Sequence, residues 1–234
     1  LAIAIRALTQ PSDSILVQPP VYYPFYNVVR NNGRKLVEHP LVERDGKFEM
    51  DFDDLEAKIQ RESVKMLLLC SPHNPVCRVW TEDELRQVGD LCQKYGVFVV
   101  SDEIHCDFAF PKHPHTVFLK ANPHLSHQAM VCTAPSKTFN LAGIQGSNIL
   151  IANEEVRKVF QAQVAKAHAS ANDFAGPATI AAYNESEAWL DELLEVLKSN
   201  SQYFVDFIHE HCPELKVRMN EATYLMWLDC RGLG

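Results

Sequence analysis

The sequence predicts an α/β fold: a mostly parallel central sheet covered by helices, followed by the start of a smaller α+β domain. Three observations carry this. Helical and strand-like segments alternate with short connections, the order that builds a layered sheet from crossover units. The strand-like segments are short and almost wholly apolar rather than alternating, as in strands covered on both faces. After about residue 213 the pattern changes, and two strand-like runs follow one long helix.

The chain opens in a helical pattern, and the first strand is expected at 14–18, Ser-Ile-Leu-Val-Gln. Asp51 or Asp53 starts a helix with Phe52, Leu55 and Ile59 facing inward. A second strand is expected at 65–70. Thr81-Glu-Asp-Glu84 reads as a capping box, in which the threonine oxygen takes a free helix amide and the glutamate reaches back. It opens a helix with Leu85, Val88, Leu91 and Cys92 on one face, running to about Tyr95 and stopping at Gly96. Strands are expected at 97–101, 130–133 and 148–152, and helices at roughly 154–168, 174–185 and 189–211. Runs at 216–218 and 224–229 read as strands of the second domain, so the expected division is 1–212 and 213–234. Leu1 lies inside a helical pattern and Gly234 follows a strand-like run, which reads as an internal fragment.

Composition narrows the function. With 47% hydrophobic and 22% charged residues, the 234-residue chain has the balance of a folded globular protein. The formal charge of -8 and the absence of a basic run argue against a nucleic-acid surface. Apolar runs such as 66–70 and 97–100 are strand-sized, too short to cross a bilayer. Seven scattered cysteines without a C-x-x-C spacing argue against a disulfide framework and a cysteine zinc site. With no secretory signal at the start, a reducing cytoplasm is the expectation.

Ligands of open α/β sheets bind beyond the carboxyl ends of the strands. After the first strand comes Pro19-Pro-Val-Tyr22-Tyr23-Pro-Phe, and after the second Ser71-Pro-His73-Asn74-Pro75. The strand at 97–101 runs into Asp102-Glu-Ile-His105, and that at 130–133 into Ala-Pro-Ser136-Lys137-Thr-Phe-Asn140. Four strand ends thus present an aromatic ring, an amide, a carboxylate with an imidazole, and a lysine. That set suits a flat, charged heteroaromatic ligand. A lysine forms a Schiff base with an aldehyde. A carboxylate keeps a pyridine nitrogen protonated and the ring an electron sink. The aromatic side chain stacks on a ring face, and the amide donates to a phenolate oxygen. Pyridoxal phosphate uses all four.

These strings resemble the fold-type-I pyridoxal-phosphate enzymes of the class I/II aminotransferase superfamily. More narrowly they resemble its MalY/PatB-type cystathionine β-lyase branch, over essentially the whole chain and with similar order and spacing. The resemblance implies the large domain of a PLP-dependent transferase fold. It implies Lys137 as the Schiff-base lysine and the acid/base at the substrate Cα, and Asp102 as the partner of the pyridinium nitrogen. Tyr22 would stack on the ring, with Tyr23 as its rival, and Asn74 would donate to the phenolate oxygen. His105 would stand near that oxygen, and Ser136 would touch the phosphate. The implied activity is β-elimination at the Cβ–S bond of cystathionine or related cysteine S-conjugates, giving pyruvate, ammonia and a thiol. Transamination of amino acids is the alternative on the same residues, and a non-catalytic protein that keeps the fold is the third reading. The expected partners are a small amino-acid substrate and a second copy in a homodimer, with neither nucleic acid nor membrane.

The chain departs from the pattern at three places: Cys77 where relatives read glycine, Ala134 where many read serine, and Gln145 where many read arginine. If position 77 needs positive φ, a cysteine there costs on the order of 1–2 kcal/mol. The phosphate cup must then draw on other groups, including a helix N-terminus that the family places upstream of Leu1. The arginine for the substrate carboxylate is expected beyond Gly234. Asp102-Glu-Ile-His105 also matches a helicase string, but no G-x-x-x-x-G-K-[ST] loop accompanies it. His113, His115, His124 and His127 lack ligand spacing and an adjacent carboxylate, so no metal is expected. Asn184-Glu-Ser186 is a formal glycosylation sequon, without meaning unless the chain is secreted.

Overall fold

The computed structural model describes residues 1–233. Helix α1 (Ala2–Leu8) leads into strand β1 (Ser14–Val17), all four of whose residues are buried. Helix α2 (Pro24–Arg30) begins on a proline, whose fixed φ and missing N–H suit a first turn. It returns the chain to β2 (Lys35–Glu38). A hairpin of β3 (Val42–Arg44) and β4 (Lys47–Glu49) turns through Asp45 and Gly46, both at positive φ. Helix α3 (Phe52–Arg61) is capped by Asp51, whose carboxylate accepts the Asp54 N–H at 3.0 Å. The chain continues through β5 (Val64–Cys70), α4 (Glu82–Tyr95), β6 (Phe98–Asp102), α5 (Phe118–Ala121), β7 (Ala129–Thr133), α6 (Pro135–Thr138) and β8 (Asn148–Leu150). Helices α7 (Glu154–Lys166), α8 (Ala175–Glu185) and α9 (Glu187–His211) follow, then β9 (Lys216–Val217) and β10 (Leu228–Asp229).

The central sheet has the order β2-β1-β5-β6-β7-β8, with β8 antiparallel to β7 and every other pairing parallel. Both faces are covered. Leu16, Leu67, Leu69 and Val99 pack with residues of α3 and α4 and with Trp80. On the other face Ile15, Val17, Met66, Leu68, Val100 and Met130 pack with α1 and α2, and with Phe160 of α7. This double burial is why the strands read as continuous apolar runs. Helix α4 has the expected capping box: Thr81 Oγ1 accepts from Glu84 N–H at 3.2 Å, and the Glu84 carboxylate accepts from Thr81 N–H at 2.7 Å. It ends at Gly96 with φ 65°, a left-handed stop that glycine takes without steric cost.

The structure adds elements that the apolar pattern does not reveal. Strand β2 is an edge strand with only Val37 buried, and the β3–β4 hairpin is a separate two-stranded unit. The expectation of a strand over 224–229 is corrected: only Leu228–Asp229 pairs, with β9. The reason lies in Asn220, whose buried side-chain Nδ2 donates to the carbonyls of Ala222, Thr223 and Leu225 at 3.1 Å each. At Leu225, inside the expected run, a side chain therefore occupies a carbonyl that a strand ladder would need.

Gly89 sits inside α4 against Asn122, whose buried amide donates to Leu85 O at 2.9 Å. A Cβ at position 89 would collide with that amide. Gly89→Ala, which adds helix propensity at an exposed site, is expected here to destabilise by about 1–3 kcal/mol. Urea denaturation of the variant checks this.

Candidate active site

The parallel ladder fixes which residues meet. Cys70 pairs with Asp102, and Asp102 with Cys132, so β5, β6 and β7 end level. From β1 the chain runs to β2 on one side, while β5 lies on the other, which opens a crevice beyond their carboxyl ends. The two loops there are strapped together by Tyr22 N–H donating to Asn74 O at 2.9 Å.

Asn74 and His105 stand side by side, with Asn74 Nδ2 3.4 Å from His105 Nε2. With the amide donating, Nε2 is the acceptor and Nδ1 carries the proton, and that buried Nδ1 has no hydrogen-bond partner. Burial first, and then the nearby Lys137 cation, push the His105 pKa down to about 4. The imidazole is therefore neutral at ordinary pH. Its ring meets Tyr224 at 5.7 Å and Phe108 at 6.2 Å between centroids.

Asp102, the last residue of β6, keeps a little solvent access, but protein surrounds the carboxyl deeply enough for desolvation to dominate. Its pKa is raised to about 6 by that desolvation, against one hydrogen bond from Ile104 N–H at 3.3 Å. Lys137 lies on the single turn α6 with Ser136 beside it. Both line a cleft with Phe108, Asn140, Trp189 and Tyr224. Tyr22 is 41% exposed at the rim, and its ring meets Tyr23 at 5.4 Å. Asn74 and His105 are in direct contact, and Lys137 is close enough to His105 to depress its pKa. Asp102 lies on the strand that leads to His105. Tyr22 joins this group through its backbone.

Three further residues belong to the site. Tyr224 walls the cleft, and Thr138 and Asp107 hydrogen-bond to each other beneath Lys137. Asp107 lies two residues past His105, so extending the strand-end survey by one turn would have found it. Tyr224 gave no such signal, because it comes from the distant 220–225 segment.

Glu103, next to Asp102, is instead well supplied with hydrogen-bond donors. It accepts from Ser101 Oγ at 2.8 Å, Phe118 N–H at 2.9 Å and His115 Nε2 at 2.8 Å. This corrects the expectation that no carboxylate adjoins the loop histidines: His115 pairs with buried Glu103. Among the described residues no group of three or more His, Cys, Asp or Glu side chains is placed to hold a metal ion.

Of the three departures, Cys77 is the most informative. Its φ is 60°, so the position does use the left-handed region. Its buried Sγ lies 3.2 Å from Leu225 O and accepts from Thr223 Oγ1 at 3.3 Å, tying the Asn74 loop to the 220–225 segment. Burial pushes the thiol pKa up to about 11, so it stays protonated. Ala134 is buried and offers α6 no side-chain cap, and Gln145 is exposed.

A carboxylate held by one backbone N–H, and, past the end of its strand, an imidazole N–H without a partner beside an amide, form a matched set. They suit a flat ligand with a basic ring nitrogen and an anionic ring oxygen, and a lysine stands beside them to bond an aldehyde. The residues fit such a group.

Two outcomes are expected. Because the folded pKa of Asp102 lies above its unfolded value, its contribution to stability is lost as pH rises from about 4 through about 6. Asp102→Asn should therefore stabilise the ligand-free protein at pH 7 by roughly 1–3 kcal/mol, with no gain below about pH 4, as read from denaturation against pH. At Cys77, Cys77→Ala keeps the strained backbone and loses the thiol packing, whereas Cys77→Gly loses the packing but relieves the strain of about 1–2 kcal/mol. The glycine variant should be the more stable of the two in thermal unfolding.

The chain matches the family model for aminotransferase class I and II over residues 1–233. It is 42% identical over 235 residues to cystathionine beta-lyase PatB of Bacillus subtilis, covering 100% of this chain and 61% of that protein. Among solved structures it superposes on a PLP-bound putative aminotransferase from Clostridium difficile 630 with a TM-score of 0.96 and 42% identity, covering 100% of this chain and 60% of that one. It also superposes on cystalysin from Treponema denticola, a structure that contains pyridoxal 5'-phosphate. There the TM-score is 0.93 at 40% identity, covering 99% of this chain and 59% of that one. The chain thus spans about three fifths of the length of the relatives it matches. The match over essentially its whole length shows that the chain belongs to the class I and II aminotransferase family.

Proposed function

We propose that this chain carries the cofactor site of a pyridoxal-phosphate-dependent C–S β-lyase acting on cystathionine or related cysteine S-conjugates. The observation that carries the reading is the desolvated Asp102 carboxylate at the end of the strand leading to His105, which touches Asn74 and lies close enough to Lys137 to feel its charge. The similarity to PatB supports the lyase branch. Bound there, pyridoxal phosphate supplies an aldehyde for the lysine and a ring that takes up the electron pair released at the substrate Cα.

Every other role falls to this chain. Lys137 Nζ would hold the cofactor's aldehyde and would take the substrate Cα proton. Asp102 would hold the proton on the ring nitrogen and Asn74 would donate to the ring oxygen, with neutral His105 orienting that amide. Tyr22 covers one ring face, and Ser136 contributes to the phosphate cup. Once the Cα proton is on Lys137, the Cβ–S bond breaks with its electron pair leaving on the thiolate. The enamine left behind is hydrolysed to pyruvate and ammonia.

Transamination is the second reading, favoured by the description of the Clostridium difficile structure as a putative aminotransferase. It would use the same residues, with Lys137 again the group that moves the proton taken from Cα. Thiol release without an added keto acid supports the lyase, and strict keto-acid dependence supports the transaminase. We further propose a homodimer, supported by the exposed Phe174, Ile180 and Trp189 on and beside α8 and α9. A cytoplasmic location fits seven free cysteines, and the division of the chain at 212/213 fits the separate β9–β10 pair. No helix is long and apolar enough to cross a membrane among the described residues.

The test is borohydride reduction of the full-length protein with pyridoxal phosphate, followed by peptide mapping. The label is expected on Lys137, and a label elsewhere or none overturns the reading. Lys137→Ala is expected to lower thiol release by at least about 10²- to 10⁴-fold, the range for a lost acid/base.

A further inference from the structure

We propose that Asp107 is the positioning residue that sets Lys137 against Asp102 and His105; this rests on the reading of Lys137 as the Schiff-base lysine. The lysine sits on a weak element. Helix α6 is four residues long, and Ala134 gives it no side-chain cap. One helical turn does not sustain itself, because nucleation fixes several dihedrals for a single hydrogen bond. Two backbone bonds close it, Phe139 N–H to Pro135 O at 2.9 Å and Leu141 N–H to Ser136 O at 3.0 Å.

What ties this turn to the sheet is a carboxylate. Thr138, 1% exposed and next to Lys137, donates its hydroxyl to Asp107 Oδ2 at 2.8 Å. Tyr183 of α8 donates to the same oxygen at 3.2 Å. Its phenol pKa is raised, by burial first and by Asp107 next, so the hydroxyl stays a donor. Asp107 belongs to the short turn Cys106–Phe108 that directly continues from Asp102 and His105. One oxygen thus links the strand end carrying the carboxylate and imidazole, the turn carrying the lysine, and α8. Phe139 closes the same junction from the other side, edge-on to Tyr183 at 5.3 Å. Hydrogen bonds to an ionised acceptor are the stronger kind. Removing this one leaves a buried threonine hydroxyl without a partner.

The test uses the full-length protein with Asp107→Ala, Asp107→Asn and Thr138→Val. In the cofactor-free state, hydrogen exchange at the amides of Phe139 and Leu141 is expected to accelerate about ten- to a hundredfold in Asp107→Ala and Thr138→Val. It should recover partly in Asp107→Asn, which keeps an acceptor oxygen. Amides of β6 and α4 should keep their unmodified rates. With pyridoxal phosphate bound, the pH midpoint of the lysine-bound cofactor's absorbance should move, and kcat should fall about tenfold with KM little changed. Unchanged exchange at Phe139 and Leu141, or acceleration spread evenly over the sheet, overturns the proposal. If Asp107→Ala fails to fold, Thr138→Val decides alone, since it leaves the carboxylate in place. A borohydride label on another lysine in the unmodified protein would sink the functional reading, while the exchange data would still decide whether Asp107 holds the turn.

Discussion

Three parallel strands end level, Cys70 beside Asp102 beside Cys132, and the candidate site depends on that alignment. The ladder is held because both faces of the sheet are buried, Leu67 and Leu69 on one and Met66 and Leu68 on the other. A slip of one residue would exchange the two apolar sets and turn Glu103 to the side that Asp102 now faces. Asn74, His105 and Lys137 are each a few residues past those ends. Their meeting is a consequence of core packing far below them.

Adjacent carboxylates at the end of β6 show how the protein separates folding from chemistry. Glu103 has three donors on its two oxygens and anchors the loop through His115 and Phe118. Asp102, one residue earlier, has a single long bond and a raised pKa. Burying a charge without a partner is costly, and a fold has no use for that cost on its own account. The unbalanced residue points to a ligand and the balanced one to structure, a distinction that composition and spacing do not carry.

Much of the fold was legible in the sequence because its signals are local. The capping box at Thr81 and the continuous apolar run of β5 each need only a few neighbouring residues. Strand β2 was not legible, since an edge strand buries one face and here only Val37 goes under. The 224–229 run misled because Asn220 takes the Leu225 carbonyl that a strand would use, a side-chain choice invisible to hydropathy. In the site, Asn74, Asp102, His105 and Lys137 follow buried strands and could be listed from the chain. Asp107 stands one turn further along the same strand end, whereas Tyr224 could not be listed, because its partner His105 is brought to it by tertiary packing alone.

The seat of Cys77 bears on how this sequence can diverge. A side chain at φ 60° is tolerated here because the thiol is gripped by Thr223 and Leu225, 146 and 148 positions further along. The identity at position 223 is therefore coupled to that at 77, whereas Leu225 offers only its backbone carbonyl. A lineage that acquired the cysteine has placed Thr223 under constraint, and one that keeps glycine leaves that position freer to drift. History at one end of the chain thus conditions which substitutions are open at the other.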